Sequence, residues 1–144
     1  MRRFGKKDSL YVIIVGCGRM GSIVANYASS EGHNVVIIDK DDKAFEHLSP
    51  EFSGFTIHGD ATEVENLKDA KIERADVFLA LTDDDNINFM VSMIAKKVFG
   101  VRKVIARVYD PDNFELFKEF GINAISPILL MGEALKGVLI SQME

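Results

Sequence analysis

Three glycines, Gly16, Gly18 and Gly21, follow an apolar run in the stretch VIIVGCGRMG at 12–21. Their G-x-G-x-x-G spacing suits a loop that grips a phosphate. The first glycine permits a tight turn, the second lets a pyrophosphate approach the backbone, and the third lets a helix pack closely on a sheet. A helix opening here turns its free N–H groups toward an anion. Within the loop, Arg19 can flank the phosphates, and Met20 begins the apolar side of the helix. Cys17 lies near a helix N-terminus, where thiolate is favoured. It reads better as a small residue filling a tight position than as a redox centre. The plain alternative is a glycine-rich turn with no ligand.

Asp39 ends the next apolar run, 18 residues after Gly21. A carboxylate there accepts hydrogen bonds from ribose hydroxyls and repels a 2′-phosphate, which favours NAD or an adenosine nucleotide over NADP. Lys40 beside it is the group that a 2′-phosphate would meet. Two more strand ends carry polar groups: Gly59-Asp60-Ala61-Thr62, and the run TDDDNIN from Thr82 to Asn88. In open α/β sheets the ligand lies over the carboxyl ends of the strands. Asp60 with Glu63, and Thr82 with Asp85, also have capping-box spacing, so helix capping is expected at both places. The acidic run 83–85 reads as a solvated rim rather than a cation site. Arg107 sits near the end of a buried strand, where a charge needs a partner: a phosphate, the 83–85 carboxylates, or a structural ion pair.

These residues need a scaffold, and the periodicity supplies one. Apolar runs at 10–15, 35–39, 54–58, 77–82, 103–108 and 122–125 read as strands. Helical spacing links them. Met20, Ile23, Val24, Tyr27 and Ala28 form one stripe, closed by Gly32. A short helix is expected over 41–48 and another around 63–70. Ile87, Met90, Val91, Ile94, Ala95 and Val98 form the cleanest stripe. Asp110-Pro111 starts a helix whose buried side is Phe114, Phe117 and Phe120. The strands are continuously apolar, so both sheet faces should be covered. The result is an α/β fold, a Rossmann-like doubly wound parallel sheet of six strands in the order 3-2-1-4-5-6, forming a single domain over 10–144.

The 144 residues fit one such domain, with 47% hydrophobic and 27% charged residues. A net charge of −5 argues against broad nucleic-acid binding. A single cysteine excludes an internal disulfide and suits a reducing cytoplasm. No apolar run is long enough to span a bilayer. The start, 1–9, is a basic arm with Arg2, Arg3, Lys6 and Lys7, read as a solubilising tail.

Taken in order, VIIVGCGRMG, Asp39, GDAT at 59–62, LTDDDNINFM at 81–90, IARVYDP at 105–111 and ISP at 125–127 resemble one family. It is the nucleotide-binding domain of Trk-type potassium-uptake regulators, the KTN or RCK N-terminal domain. The resemblance covers about residues 10–140. It implies a non-catalytic Rossmann domain that binds NAD(H), ATP, ADP or AMP. Such domains assemble into dimers and rings beneath a membrane potassium transporter or channel, and nucleotide exchange gates the pore. Carried onto this chain, the phosphate loop is Gly16, Cys17, Gly18, Arg19, Met20 and Gly21, and the ribose carboxylate is Asp39. The adenine side is Asp60, Ala61 and Thr62. Thr82, Asp83 and Arg107 fall beside phosphate or the second ribose.

Many relatives continue into a small C-terminal domain, whereas this sequence stops at Glu144. The expectation is therefore a homodimer, or a hetero-oligomer with a longer relative, held at the inner face of the membrane through its partner. In the last helix, Met131, Ala134, Leu135, Val138 and Leu139 form a core stripe, leaving Leu129, Ile140 and Met143 for a partner surface. Two other readings compete. A small NAD-dependent oxidoreductase needs a substrate pocket and a proton donor. His33 and His47 are expected on the wrong edge of the sheet, and His58 is nearer the crevice without a partner. The third reading is an assembly module whose nucleotide is only structural.

Overall fold

The computed structural model describes residues 9–143, so the basic arm lies outside the described residues apart from Ser9. Six strands form one sheet: β1 Tyr11–Val15, β2 Asn34–Asp39, β3 Phe55–His58, β4 Val77–Ala80, β5 Lys103–Arg107 and β6 Asn123–Ile125. Their order is β3-β2-β1-β4-β5-β6, with every pair parallel, as expected from the alternating pattern. The helices are α1 Arg19–Ser30, α2 Val64–Asp69, α3 Asp85–Met93, α4 Phe114–Glu119 and α5 Pro127–Met143. The link from β2 to β3 is a 3-10 turn, Asp42–His47, rather than an α-helix.

Alternate residues of the central strands feed two cores. Val12 and Ile14 of β1 pack with Val35 and Ile37 against Ala25 and Ala28 of α1. Ile13 and Val15 face the other layer, with Phe78, Leu67, Val91 and Phe117. Burying one such side chain stabilises the fold by about 1.5–3 kcal/mol. Coverage fails at the margins. β3 and β6 are edge strands, and Phe55 of β3 is 74% exposed. An edge strand has a neighbour on one side only; the continuously buried reading holds for β1 and β2, while β4 and β5 alternate buried with partly exposed residues.

The helical stripes also shift. On α1, Met20, Ile23 and Tyr27 are exposed and the buried line is Gly21, Ser22, Ala25 and Ala28. Small residues face the sheet because Gly21 draws the helix too close for large ones. On α3 the buried face is Asn88, Val91 and Ser92, continuing to Ala95 in a π-turn over Ile94–Val98, while Met90 and Val98 are exposed. Polar Asn88 displaces the apolar stripe because it has hydrogen-bond partners inside. On α4 only Phe117 is buried; Phe120 is largely exposed but stacks edge-on with Phe89. Asp110 accepts from the Asp112 N–H and Pro111 opens the turn, as the sequence suggested.

The largest departure is α5. None of its residues is buried, and Met131, Leu135, Val138 and Leu139 are as exposed as Ile140. The expected core stripe is not a core stripe. The helix is apolar all round, so one face cannot be distinguished from another by periodicity.

Candidate nucleotide cleft

Strand order reverses between β1 and β4, and the ligand crevice of such a sheet opens at the carboxyl ends there. A cleft of about 870 Å³ lies at this point. Gly16, Gly18, Arg19 and Met20 line one wall. Asp39 and Lys40 lie at the end of β2, Asp60 and Ala61 after β3, and Thr82, Asp83 and Arg107 at the ends of β4 and β5. Cys17, Gly21 and Thr62 do not line it. Cys17 is fully buried, so only its backbone serves the loop. Thr62 donates its hydroxyl to Asp60 at 2.7 Å.

The glycines divide by role. Gly16 takes φ +105°, and a Cβ there would sit 3.0 Å from Leu81 and Thr82 backbone atoms. A Cβ on Gly21 would overlap the Gly16 carbonyl. A Cβ on Gly18 would meet no protein atom within 4 Å. The N-cap of α1 is Gly18, with no side-chain cap, so the first N–H groups of a 12-residue helix open on the cleft.

Asp39 is oriented by the chain itself. One carboxylate oxygen accepts from Cys17 N–H at 2.7 Å and the other from Asp41 N–H at 2.8 Å. Each oxygen keeps lone-pair capacity for a hydroxyl donor. The same carboxylate charge adds to burial in pushing the Cys17 thiol up to about 11. Asp60 accepts from both the N–H and the hydroxyl of Thr62; these bonds hold its carboxyl below the usual range against a small opposing effect of burial, with Lys40 assisting. It makes this turn instead of capping α2, whose N-cap is Glu63.

At β4 the expected Thr82–Asp85 box is absent. The cap of α3 is Asp84, which accepts from Asn86 and Ile87 N–H. Thr82 instead bonds to fully buried Asn88, whose Oδ1 accepts from the Thr82 hydroxyl at 2.6 Å and N–H at 3.0 Å. Asn88 Nδ2 donates to Thr82 O at 3.0 Å and Arg107 O at 2.9 Å. One side chain thus ties the ends of β4 and β5 together. Asp85 reaches across to the next loop, accepting from Tyr109 N–H, Asp110 N–H and Asn113 Nδ2. Burial pushes its carboxyl up, but these three bonds and the Arg107 charge outweigh it and hold it below the usual range. Arg107 pairs with Asp83 at 3.2 Å, a carboxylate almost wholly in solvent, and its buried Nε has no protein partner.

Lys43, which sequence reasoning passed over, and His47 belong to the cleft wall. The expectation that His47 sits on the wrong edge is incorrect, because the 3-10 turn keeps residues 42–47 beside the carboxyl end of β2. His33 is on the far edge as expected, where its Nδ1 accepts from Leu10 N–H. His58 Nε2 lies 3.1 Å from Lys40 O, so it does have a partner.

Residues 12–127 match the family model of the TrkA-N domain. The chain belongs to the TrkA-N family. This TrkA-N domain is 35% identical over 119 residues to the Trk system potassium uptake protein TrkA of Streptomyces coelicolor, covering 83% of this chain and 53% of that protein. It is 39% identical over 119 residues to the TrkA homologue of Methanothermobacter thermautotrophicus, covering 82% and 55%. The chain therefore spans about half the length of these curated relatives. Among solved structures, the GsuK channel bound to NAD superposes with a TM-score of 0.79 at 22% identity, over 95% of this chain and 24% of that one. The AMP-bound C-terminal domain of Kef from Shewanella denitrificans gives 0.77 at 20%, over 92% and 81%. At these identities the two structures corroborate the fold. No helix among the described residues is long and apolar enough to cross a membrane.

Proposed function

We propose that this TrkA-N domain is a non-catalytic sensor of adenine nucleotides, NAD(H) or ATP, ADP or AMP, that regulates a membrane potassium transporter or channel from the cytoplasmic side. One observation carries the reading. The open N-terminus of α1 and the Asp39 carboxylate face one cleft at the sheet's reversal point, the pairing that a phosphate joined to a ribose requires. In this scheme, Gly16, Gly18, Arg19 and Met20 surround the phosphates, while Cys17 and Gly21 shape the loop from beneath. Asp39 takes the ribose hydroxyls, with Lys40 beside it. Asp60 and Ala61, braced by Thr62, border adenine, and Thr82, Asp83 and Arg107 meet a further phosphate or second ribose. The names of the curated relatives supply the potassium-uptake setting.

Regulation needs two arrangements of an assembly with different nucleotide affinity. The exposed apolar surfaces of α5, including Leu130 at 62% and Val138 at 59%, support association with a second copy or with a longer relative.

Thermal unfolding with NAD, NADH, NADP, ATP, ADP and AMP tests the sensor. Saturation near one hundred times Kd by a ligand without a 2′-phosphate raises Tm by roughly 5–10 °C. Stabilisation by NADP alone refutes the reading of Asp39, and no response to any of the six refutes the sensor. NADH turnover against a panel of small carbonyls would mark an oxidoreductase instead. A nucleotide that co-purifies, cannot be exchanged and leaves assembly unchanged would mark a structural ligand.

A further inference from the structure

His47 has no role in the scheme above, yet it lines the cleft as the last residue of the turn Asp42–His47. Its Nδ1 lies 3.1 Å from the Cys17 carbonyl oxygen and 2.9 Å from that of Ala44. Carbonyl oxygens only accept, so Nδ1 must carry the proton and donate to both. The backbone of Cys17 is therefore held on both sides of its Cα. Its N–H donates to Asp39 at 2.7 Å and its C=O accepts from His47. The described peptide bonds are all trans. In a planar trans peptide, the C=O and the following N–H point opposite ways. Holding the Cys17 carbonyl toward His47 thus fixes the direction of the Gly18 N–H. That N–H has no acceptor among the described residues, and Gly18 lines the cleft.

We propose that His47 is a positioning residue for the phosphate loop: its Nδ1–H, bonded to the Cys17 carbonyl, aims the Gly18 N–H at the phosphate of an adenine nucleotide. The assignment rests on the nucleotide reading of the cleft. It concerns the phosphate, because the Gly18 N–H contributes nothing to an adenosine that lacks one.

The test titrates AMP and adenosine calorimetrically into the wild type, His47→Ala, His47→Asn and His47→Gln, with the unfolding of each measured alongside. The amide nitrogen of Asn reaches the place of Nδ1, whereas that of Gln reaches the place of Nε2. His47→Ala should bind AMP about three- to tenfold more weakly, the loss expected for one net hydrogen bond. Its adenosine affinity should stay within about twofold, a change smaller than one such bond is worth. His47→Asn should restore AMP binding and His47→Gln should not. Unchanged AMP binding in a folded His47→Ala, equal losses of AMP and adenosine, or rescue by Gln rather than Asn overturns the proposal. Nitrogen-15 NMR of the wild type gives an independent readout: the Nδ1–H tautomer is expected, and the Nε2–H tautomer overturns the grip whether or not AMP binds. A wild type that binds NAD, ATP or ADP in place of AMP is tested with that nucleotide in the same four proteins, and failure to bind any of them overturns the nucleotide reading itself, and the assignment with it.

Discussion

Alanine at each glycine of the loop separates ligand binding from folding. Gly18 has φ −76° and ψ −159°, a region open to any L-residue, and its Cβ would touch nothing in the protein. Gly18→Ala should therefore leave stability intact or raise it by about 0.4–1 kcal/mol, because the unfolded chain loses freedom. A ligand phosphate is a different matter. A methyl group between it and the loop lengthens N–H···O contacts of about 2.9 Å beyond hydrogen-bonding range. Bonds to charged groups are worth about 1.5–3 kcal/mol, so AMP binding should fall roughly 10- to 100-fold. Gly21→Ala reverses the pattern. Its Cβ would overlap the Gly16 carbonyl, so α1 must lift from the sheet, at about 2 kcal/mol or more after the helix propensity of alanine is credited. Gly16→Ala adds strain at φ +105° to its 3.0 Å backbone contacts. Urea unfolding reads stability and calorimetry reads affinity. A stable Gly18→Ala that binds AMP as the wild type does would refute the idea that a phosphate approaches this backbone.

Arg107, placed at a further phosphate, is paired with Asp83, so Asp83→Asn should tighten binding of ADP, which has that phosphate and no second ribose, about two- to fivefold, the range of an exposed ion pair; weaker ADP binding would refute this competition. Cys17, buried and pushed up to about 11, should resist alkylation at pH 8 in the folded protein and react at once when unfolded; equal rates would contradict its burial. Asp85 is held below its usual range when folded, so it contributes stability above its unfolded value of about 4 that disappears as pH falls through the folded value. Asp85→Asn should be less stable than the wild type at pH 7, and the gap should narrow under acid in pH-dependent urea unfolding; a constant gap refutes the assignment.

Much of the cleft was legible because its parts are local. The glycine spacing, Asp39 closing β2, and Asp60 and Thr82 following strands are each short-range patterns, and parallel pairing carries them to one edge. The hydrogen-bond partners were not legible. Thr82 and Asp84 are each of a type that can cap the helix that follows, and only the packing of α3 shows that Asp84 does so while Asp85 turns to the loop after β5. His47 was misplaced because periodicity places residues on a helix but not the helix on the sheet, and only the fold shows the 3-10 turn Asp42–His47 lying beside the carboxyl end of β2.

The sequence by itself determined the architecture. Apolar runs of strand length, alternating with helical segments, admit one economical parallel sheet, and the glycine triplet marks its first turn. Tertiary structure decided which faces are buried and which polar atoms meet. Periodicity names an apolar stripe but not what stands opposite it, so Tyr27 and the stripe Met131, Leu135, Val138 and Leu139 of α5 read as core although they are exposed. Buried Asn88 could be read only from the backbone atoms that satisfy it, brought by the ends of β4 and β5. Burial of a polar side chain depends on finding partners, and those partners come from strands that only the folded sheet brings together.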